Sequence, residues 1–502
     1  MRPSTHHLGL ALSISALLSL AGCASGPASP IPLTPRDAPE AAVLLQRSAA
    51  ALGTGSLKTL TVSGKGTGGT VGQAYRPGMA WPALNYSLLS RTMNFETGAF
   101  REEFARSRGE PTGGGATPLQ GLGEAKAIGF ARDGYAWGPA ANGGSAAPVA
   151  LGARLHDLWT GTPQGAILAA QRHGAVAGVR MVDGQPVYTL SYTAPGQYAA
   201  TLVLDAAGLV TRIESTLPNP VLGDMAVVTE FSDYQDMAGL RFPARMRQSQ
   251  GGFAAFDIQV MEMQPNVPAD FAVPENVKTA RENVTVEKVA DGVWFLGGGS
   301  HNSVAIEIAD QIVLVETPLY DGRAKAVLAT ANGLVAGKAV KTVINSHHHF
   351  DHAGGLRAAA AAGAELITSA AAQPWYERSF ANPNRIAPDA LAASGRKAKI
   401  TGISGSTVLR DRSRPVEIHE MQGSVHAQGF LMVWLPKERL LIEADAYTPG
   451  PPNSPPPAVA NANQVNLADN IARLGITPER ILPLHGRVVP ASELYTQIGR
   501  KP

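Results

Sequence analysis

The feature that most constrains this chain is a cluster of four histidines and one aspartate in six residues, HHHFDH at positions 347–352. An apolar run ending at Ile344 precedes it and Gly354 and Gly355 follow, a pattern that predicts a strand, a loop and the start of a helix. Such a loop can direct alternate side chains towards one point, and neutral imidazole is the commonest metal ligand in proteins. Only 12 of the 502 residues are histidine, and a purification tag would be terminal and lack Asp351. The cluster therefore predicts a site for zinc or iron.

Three further candidate ligands follow the cluster. They are His426 in GSVH, Asp445 after the apolar run LLIEA, and His485 after the run ILPL. His426 and His485 would each be weak evidence alone, because a buried structural histidine is the more usual case. With the cluster, they resemble the metallo-β-lactamase superfamily, whose order is H-x-H-x-D-H, a lone His, an Asp at a strand end and a last His.

The sequence upstream of the cluster resembles the same family. The matching parts are GVWF at 292–295, Asn302, and the apolar strand that ends in Glu316, where the family usually has Asp. The resemblance covers residues 284 to 500. It implies a C-terminal αββα sandwich of two mixed sheets faced by helices, with the metals at one rim.

The resemblance also implies two metal ions per chain, expected to be zinc, with iron or manganese as alternatives. The expected ligands are three for each ion and one bridge: His347, His349 and His426; Asp351, His352 and His485; and Asp445. A metal pair can share a hydroxide and stabilise both the attacking and the leaving oxygen of a hydrolysis. Asp351 is expected to hold that hydroxide and accept its proton. Of the other histidines, His301 is a candidate for lining the pocket and His419 is expected to be structural.

The expected activity is hydrolysis of a small ester, lactone or amide-like substrate, although the fold does not decide among substrates. An iron-dependent persulfide dioxygenase is the rival enzyme, since related proteins keep H-x-H-x-D-H with one metal. A β-lactamase is less favoured, because the chain has no cysteine near the site and has Asp445 as a bridging carboxylate. The non-enzyme alternative is an envelope binding protein with a structural metal site.

The amino terminus predicts export. Residues 1–23 have a weakly basic start, an apolar stretch of signal-peptide length, and the ending LAGC, which resembles a bacterial lipobox. Cys23 is the only cysteine in the sequence and is the expected lipidation site. Residues 24–36 read as a Pro/Ser/Ala-rich tether. The expected location is the cell envelope, facing the periplasm, and Ala24 weakly favours the outer membrane.

Length and charge limit the partners. A chain of 502 residues fits two domains after the leader, and its net charge is +2. With 16% charged residues, nothing indicates a nucleic-acid surface. A small-molecule substrate and a membrane contact through the lipid anchor alone are expected. The sequence does not define the oligomeric state.

Residues 37–275 are predicted to form a β-rich domain. Alternating strands separated by turn signals indicate an antiparallel meander, with helices over Pro39–Leu52 and Ala150–His173 and a mobile loop over Ala140–Ala147. The domain resembles the periplasmic lipoprotein-carrier fold, a curved antiparallel sheet with helices on one side. His156 and His173 are isolated and read as core or surface residues. The chain is therefore expected to be an α+β protein, with this domain before the metallo-β-lactamase domain at 284–502.

Overall fold

The computed structural model describes residues 39–109, 123–409 and 411–501. The leader, Cys23 and the whole tether lie outside these residues. The described chain is a mixed α+β structure with one large sheet followed by two smaller sheets. Within it, no helix is both long and apolar enough to span a bilayer.

The large sheet is antiparallel throughout. Its strands lie in the order β6-β5-β4-β3-β2-β1-β13-β12-β11-β10-β9-β8-β7, so the first and last strands pair at its centre. Its strands are β1 Thr59–Gly69, β2 Ala83–Asn94, β3 Ala99–Arg108, β4 Ala125–Arg132, β5 Tyr135–Ala140, β6 Gly143–Ala146, β7 Val176–Val182, β8 Gln185–Ala194, β9 Tyr198–Leu204, β10 Val210–Asn219, β11 Gly223–Met237, β12 Leu240–Gln250 and β13 Phe253–Pro265.

Three helices pack on the large sheet through one apolar core, which includes Leu44, Leu158 and Ile167. They are α1 Ala41–Leu52, α2 Leu151–Thr160 and α3 Pro163–Arg172, and the short α4 Glu275–Lys278 follows the sheet. Helix α1 ends at Gly53, whose φ of +75° is the left-handed conformation that glycine adopts readily. The antiparallel sheet with helices is thus confirmed. The likeness to lipoprotein carriers stays a prediction.

The predicted mobile loop over Ala140–Ala147 is wrong, because its residues 143–146 form the edge strand β6. Gly144 in this strand packs so closely against Val277 and Trp137 that an added Cβ would lie about 3 Å from each. The strand is therefore held by packing against the segment that follows the sheet, which its own glycine-rich sequence does not indicate.

The C-terminal part contains two sheets. The first, mixed, runs in chain order: β14 Thr285–Ala290, β15 Val293–Gly297, β16 Ser303–Glu307, β17 Ile312–Val315, β18 Val340–Ile344, β19 Glu365–Ser369 and β20 Lys399–Ile403. The second also runs in chain order: β21 Ser406–Leu409, β22 Val416–Glu420, β23 Leu431–Leu435, β24 Leu440–Glu443, β25 Arg480–Pro483 and β26 Val489–Pro490. Strands β17 to β20 pair in parallel, as do β24 and β25.

Helices flank both sheets, and α6 lies at the rim. These are α5 Asp321–Asn332, α6 Phe350–Ala353, α7 Leu356–Ala361, α8 Gln373–Ala381, α9 Ala390–Ser394, α10 Ala462–Leu474 and α11 Ala491–Gln497. One apolar core joins the two sheets and includes residues of α10 and α11, such as Leu467 and Leu494. A second core joins the first sheet to α5, α7 and α8. The layers are therefore helix, sheet, sheet, helix, which confirms the predicted αββα sandwich.

Candidate metal centre

The predicted metal ligands meet at one rim of the sandwich. The strands β18, β24 and β25 end there, and their following loops carry ligands, as does the loop before β23. The residues brought together are all seven that the sequence singled out: His347, His349, Asp351, His352, His426, Asp445 and His485. His301, in the loop between β15 and β16, joins them.

These side chains form two groups. The first group is His347, His349, His426 and Asp445, and the second is His301, Asp351, His352 and His485. In each group, one ligand atom from every residue lies within 4.8 Å of the others. The burial of ionisable groups is costly unless they are paired or bound to metal, and most of these residues are buried.

Asp445 connects the two groups. Its Oδ2 atom lies 2.8 Å from Nε2 of His426, and its Oδ1 atom lies 2.9 Å from Nε2 of His352 and 2.7 Å from Nε2 of His485. One carboxylate therefore presents one oxygen to each group. This is the arrangement expected of a bridging ligand.

The ring nitrogens in the two groups are better placed to bind metal ions than to form hydrogen bonds with one another. Nε2 of His347 lies 2.8 Å from Nδ1 of His349 and 3.1 Å from Nε2 of His426, while Nε2 of His485 lies 3.1 Å from Nε2 of His352. A neutral imidazole has one donor and one acceptor nitrogen, so these converging nitrogens cannot all be satisfied by each other. Oδ1 of Asp445 is buried and makes no well-formed hydrogen bond. A cation in each group would satisfy all of them.

Outer contacts orient the ligands. Oγ of Ser346 lies 2.9 Å from Nδ1 of His347, and Oε2 of Glu316 lies 3.2 Å from Nδ1 of His352. Glu316 is fully buried with φ of +69°, uncommon for a residue other than glycine, and it also accepts a hydrogen bond from the Ser346 amide. Partners of this kind fix the tautomer and orientation of metal-binding histidines. Glu316 therefore fills the orienting position, although the family usually has Asp there.

Asn302 fixes the loop that carries His485. Its side-chain amide donates to the carbonyl of Gly486 at 2.9 Å, and its backbone N–H donates to the carbonyl of Leu484 at 2.8 Å. The last ligand loop is thus tied to the start of β16.

The pKa shifts of four of these residues favour the protonation states that bind a cation. Burial lowers the pKa of His347 and His349 well below the usual range, and the neighbouring imidazoles lower it further. Burial alone would raise the pKa of Asp445 and Asp351, but nearby histidines, His352 foremost, hold both below the usual range. Two neutral imidazoles and two carboxylates are the forms that bind metal.

His352 behaves differently. Burial would lower its pKa, but Asp445, Glu316 and Asp351 raise it well above the ordinary value. When no cation is bound, the raised pKa therefore favours the charged imidazolium form, which has a proton on both ring nitrogens. Metal binding at this position must release one of these protons, so metal affinity should rise with pH.

The large N-terminal sheet supplies part of the centre. Residues 70–82, which we call the β1–β2 loop, reach the ligand loops of the C-terminal domain. The carbonyl of Ala74 accepts from Nε2 of His349 at 3.0 Å, and the Gln73 amide donates to Oδ1 of Asp351 at 2.8 Å. The sequence gives no signal for these contacts, since Gln73 and Asp351 lie 278 positions apart.

Close packing holds the β1–β2 loop in place. Gly72 has φ of +83°, and a Cβ there would lie 2.5 Å from the Phe350 ring, so only glycine fits. The Trp81 ring meets the edge of Phe350 at a centroid distance of 5.6 Å, a contact worth about 0.5–1.5 kcal/mol. The Tyr75 hydroxyl donates to the carbonyl of Ser424 at 2.9 Å, next to the loop of His426.

The second group is the more open of the two. The side chains of Asp351 and His485 are 28% and 21% exposed, whereas that of His347 is fully buried. Access to the centre is therefore from the side of Asp351 and His485. A separate cleft of about 460 Å³ lies between Tyr75, Ser424 and Arg473, and none of the two groups lines it.

The other histidines of residues 39–501 are placed as core or surface residues. His156 is buried, with Nε2 2.8 Å from Oγ of Ser215, and His173 stacks on Tyr192. His419 lies in β22, outside both groups. His348 points away from the groups towards the Ala74 carbonyl, at 2.8 Å, and burial lowers its pKa to about 4.

Residues 296–476 match the family model described as the Metallo-beta-lactamase superfamily. No curated protein sequence matched the chain. Similar solved structures include a metallo-beta-lactamase from Pontibacter korlensis at 16% identity and one from Hirschia baltica at 19%. Each aligns with 43% of this chain, covers 98% and 95% of its own chain respectively, and has a TM-score of 0.33.

The assignment of the family rests on the sequence match. The match begins in β15, includes His301 and six of the other seven residues of the two groups, and ends before His485. The αββα layers and the order of the ligand loops around them extend it to the end of the described chain. Residues 296–476 are therefore similar to the metallo-β-lactamase superfamily, and they lie within the αββα sandwich.

Proposed function

We propose that the chain is a metal-dependent hydrolase that uses two metal ions on a small ester, lactone or amide-like substrate. The observation that carries this proposal is the pair of ligand groups that share the carboxylate of Asp445. A structural zinc needs only four ligands, so a second complete group favours catalysis over a purely structural site. When bound, the two ions would activate a water molecule as the nucleophile and stabilise the leaving anion.

Besides binding the metal ions, the chain must orient the attacking water and accept its proton. Asp351 stands at the open side of the centre, where its Oδ1 atom accepts from Gln73 and its Oδ2 atom lies 3.2 Å from Nε2 of His301. These contacts fix its carboxylate, and its low pKa keeps it ionised at neutral pH. Asp351 is thus suited to orient the attacking water, and we assign the proton of that water to its ionised carboxylate.

A panel of chromogenic lactam, lactone, ester and phosphodiester substrates tests the proposal. The purified chain, loaded with zinc, manganese or iron, should turn over at least one small acyl substrate, and chelation should abolish that turnover. Consumption of oxygen with a persulfide, together with a single bound iron, would favour the dioxygenase instead. A chain that binds no metal and hydrolyses nothing would overturn the proposal.

An Asp351→Asn variant is expected to keep the fold and lose activity. The amide preserves the size of the side chain and its contact with Gln73 but cannot accept a proton. We expect kcat to fall on the order of 10²–10⁴-fold, the usual contribution of a general base. Thermal unfolding and metal content should be measured beside the kinetics. Wild-type kcat in this variant would contradict the role of Asp351.

The proposal includes an envelope location, which rests on the leader sequence and Cys23. A Cys23→Ser variant is expected to lose its lipid and to shift from the membrane fraction to the soluble fraction or to remain uncleaved. Mass spectrometry of the mature amino terminus checks this result. An unmodified wild-type amino terminus at another position would rule the anchor out.

A further inference from the structure

His301 lies in the second metal group, although the seven-ligand pattern of the sequence does not include it. Its Nε2 atom is 3.2 Å from Oδ2 of Asp351 and within 4.8 Å of the ligand atoms of His352 and His485. Its ring centroid is 4.1 Å from that of His485. The side chain is 10% exposed, so it faces the group rather than solvent.

The other ring nitrogen of His301 already has a partner. Nδ1 lies 2.9 Å from Oγ of Ser300, the same arrangement that Ser346 makes with His347. With the Nδ1 proton directed to a hydroxyl, Nε2 carries the lone pair and is free to bind a cation. His301 therefore has the outer contact of a ligand.

The backbone around His301 is fixed as well. The guanidinium of Arg323 is buried beneath this loop and donates to the carbonyls of Gly297 and Asn283 at 2.8 and 2.6 Å. Asn302, the next residue, is tied to the loop of His485. Both ends of the loop are thus anchored, and the imidazole is held in place without a bound ion.

We propose that His301 is a fifth protein ligand of the second metal position, beside Asp351, His352, His485 and the shared Asp445. The proposal rests on the metal-dependent function proposed above. It makes the two positions unequal, because the first has three histidines and Asp445, and the second has three histidines and two carboxylates. Zinc is almost always four-coordinate in structural sites, whereas in catalytic sites it can become five-coordinate. The second position therefore suits an ion that accepts five or six ligands.

The competing role is that His301 only orients Asp351 through a hydrogen bond. A His301→Gln variant separates the two roles, because the glutamine amide can still donate to Asp351 but is a poor replacement for an imidazole ligand. The matched control is His419→Gln. His419 is also buried, with Oγ of Ser406 2.8 Å from Nδ1 and Oε2 of Glu417 3.1 Å from Nε2, but it lies outside both metal groups.

The experiment titrates cobalt into the metal-free full chain and follows stoichiometry and visible absorption, which intensifies as the coordination number of cobalt falls. Wild type and His419→Gln should bind two ions with the same spectrum. In His301→Gln, the dissociation constant of one ion should rise by more than the about 10–100-fold that loss of an outer contact costs, and the absorption should intensify. Unchanged values for both ions would assign His301 the orienting role and overturn the proposal.

A measurement on the wild type alone covers the case in which the variant fails to fold. In proton NMR of the dicobalt chain, each ligating imidazole contributes one paramagnetically shifted ring N–H signal. Six such signals support the proposal, and five overturn it while the metal-dependent function stands. A wild-type chain that binds no cobalt overturns both, so the two failures are distinguishable.

Discussion

An Asp445→Ala chain is expected to bind at most one metal ion and to lose measurable hydrolysis. Asp445 gives one oxygen to each group, so its removal takes a ligand from both positions at once. It also removes the negative charge that lies between two cations, whose mutual repulsion is then less screened. Loss of outer contacts to a metal ligand already weakens binding about 10–100-fold, and we expect loss of this shared ligand to cost more.

Metal content by elemental analysis and the dissociation constants of both ions check this prediction. Asp445→Asn is the informative second variant, because its amide keeps one oxygen and should preserve one position only. Asp469→Ala is the control, since Asp469 is exposed and pairs with Arg500 away from the centre. Two tightly held ions in Asp445→Ala would show that the carboxylate is not a bridge.

Excision of the β1–β2 loop is expected to weaken the metal centre while the large sheet stays folded. Gly69 pairs with Ala83 across β1 and β2, so a two-residue Asn-Gly turn can join them without changing the register. The shortened chain loses the carbonyl that holds His349 and the amide that holds Asp351. We expect metal affinity to fall about 10–100-fold and substrate selectivity to broaden, because one wall of the centre is removed.

Circular dichroism, metal titration and the substrate panel together test the excision. Asp183→Asn is a matched control, because it creates the same Asn-Gly turn between β7 and β8, where neither residue contacts a metal group. Gly72→Ala is a milder test, since its Cβ would meet the Phe350 ring at 2.5 Å and push the loop away. Wild-type metal affinity and substrate selectivity in both the excision variant and Gly72→Ala would show that the β1–β2 loop has no role in the centre.

The sequence predicted the centre where its determinants are local. Residues 347–352 directly follow one strand and are adjacent in sequence, so the sequence alone predicts that their side chains converge. The family resemblance predicts the αββα layers and singles out Glu316, but it does not predict what that side chain contacts. Only the structure shows that its longer side chain, with its unusual φ, reaches Nδ1 of His352.

What the sequence did not predict depends on distant contacts. Gln73 and Ala74 belong to the other sheet, and no periodicity or motif places them beside Asp351 and His349. The place of His301 in a ligand group depends on how β15 and β16 meet the loop of His485. In the same way, β6 is a strand because β5 and Val277 hold it, although its own sequence reads as a glycine-rich loop.

Because the β1–β2 loop contacts two of the candidate metal ligands, metal binding should also stabilise the N-terminal sheet. An ion that binds only the folded chain stabilises every element on which its ligands depend. Here those elements include β1 and β2 at the centre of the thirteen-stranded sheet, through Ala74 and Gln73. Removal of metal should therefore speed hydrogen exchange in these two strands, far from any ligand. An isolated C-terminal domain, without the β1–β2 loop, should therefore have a more open centre and bind ions less tightly than the full chain.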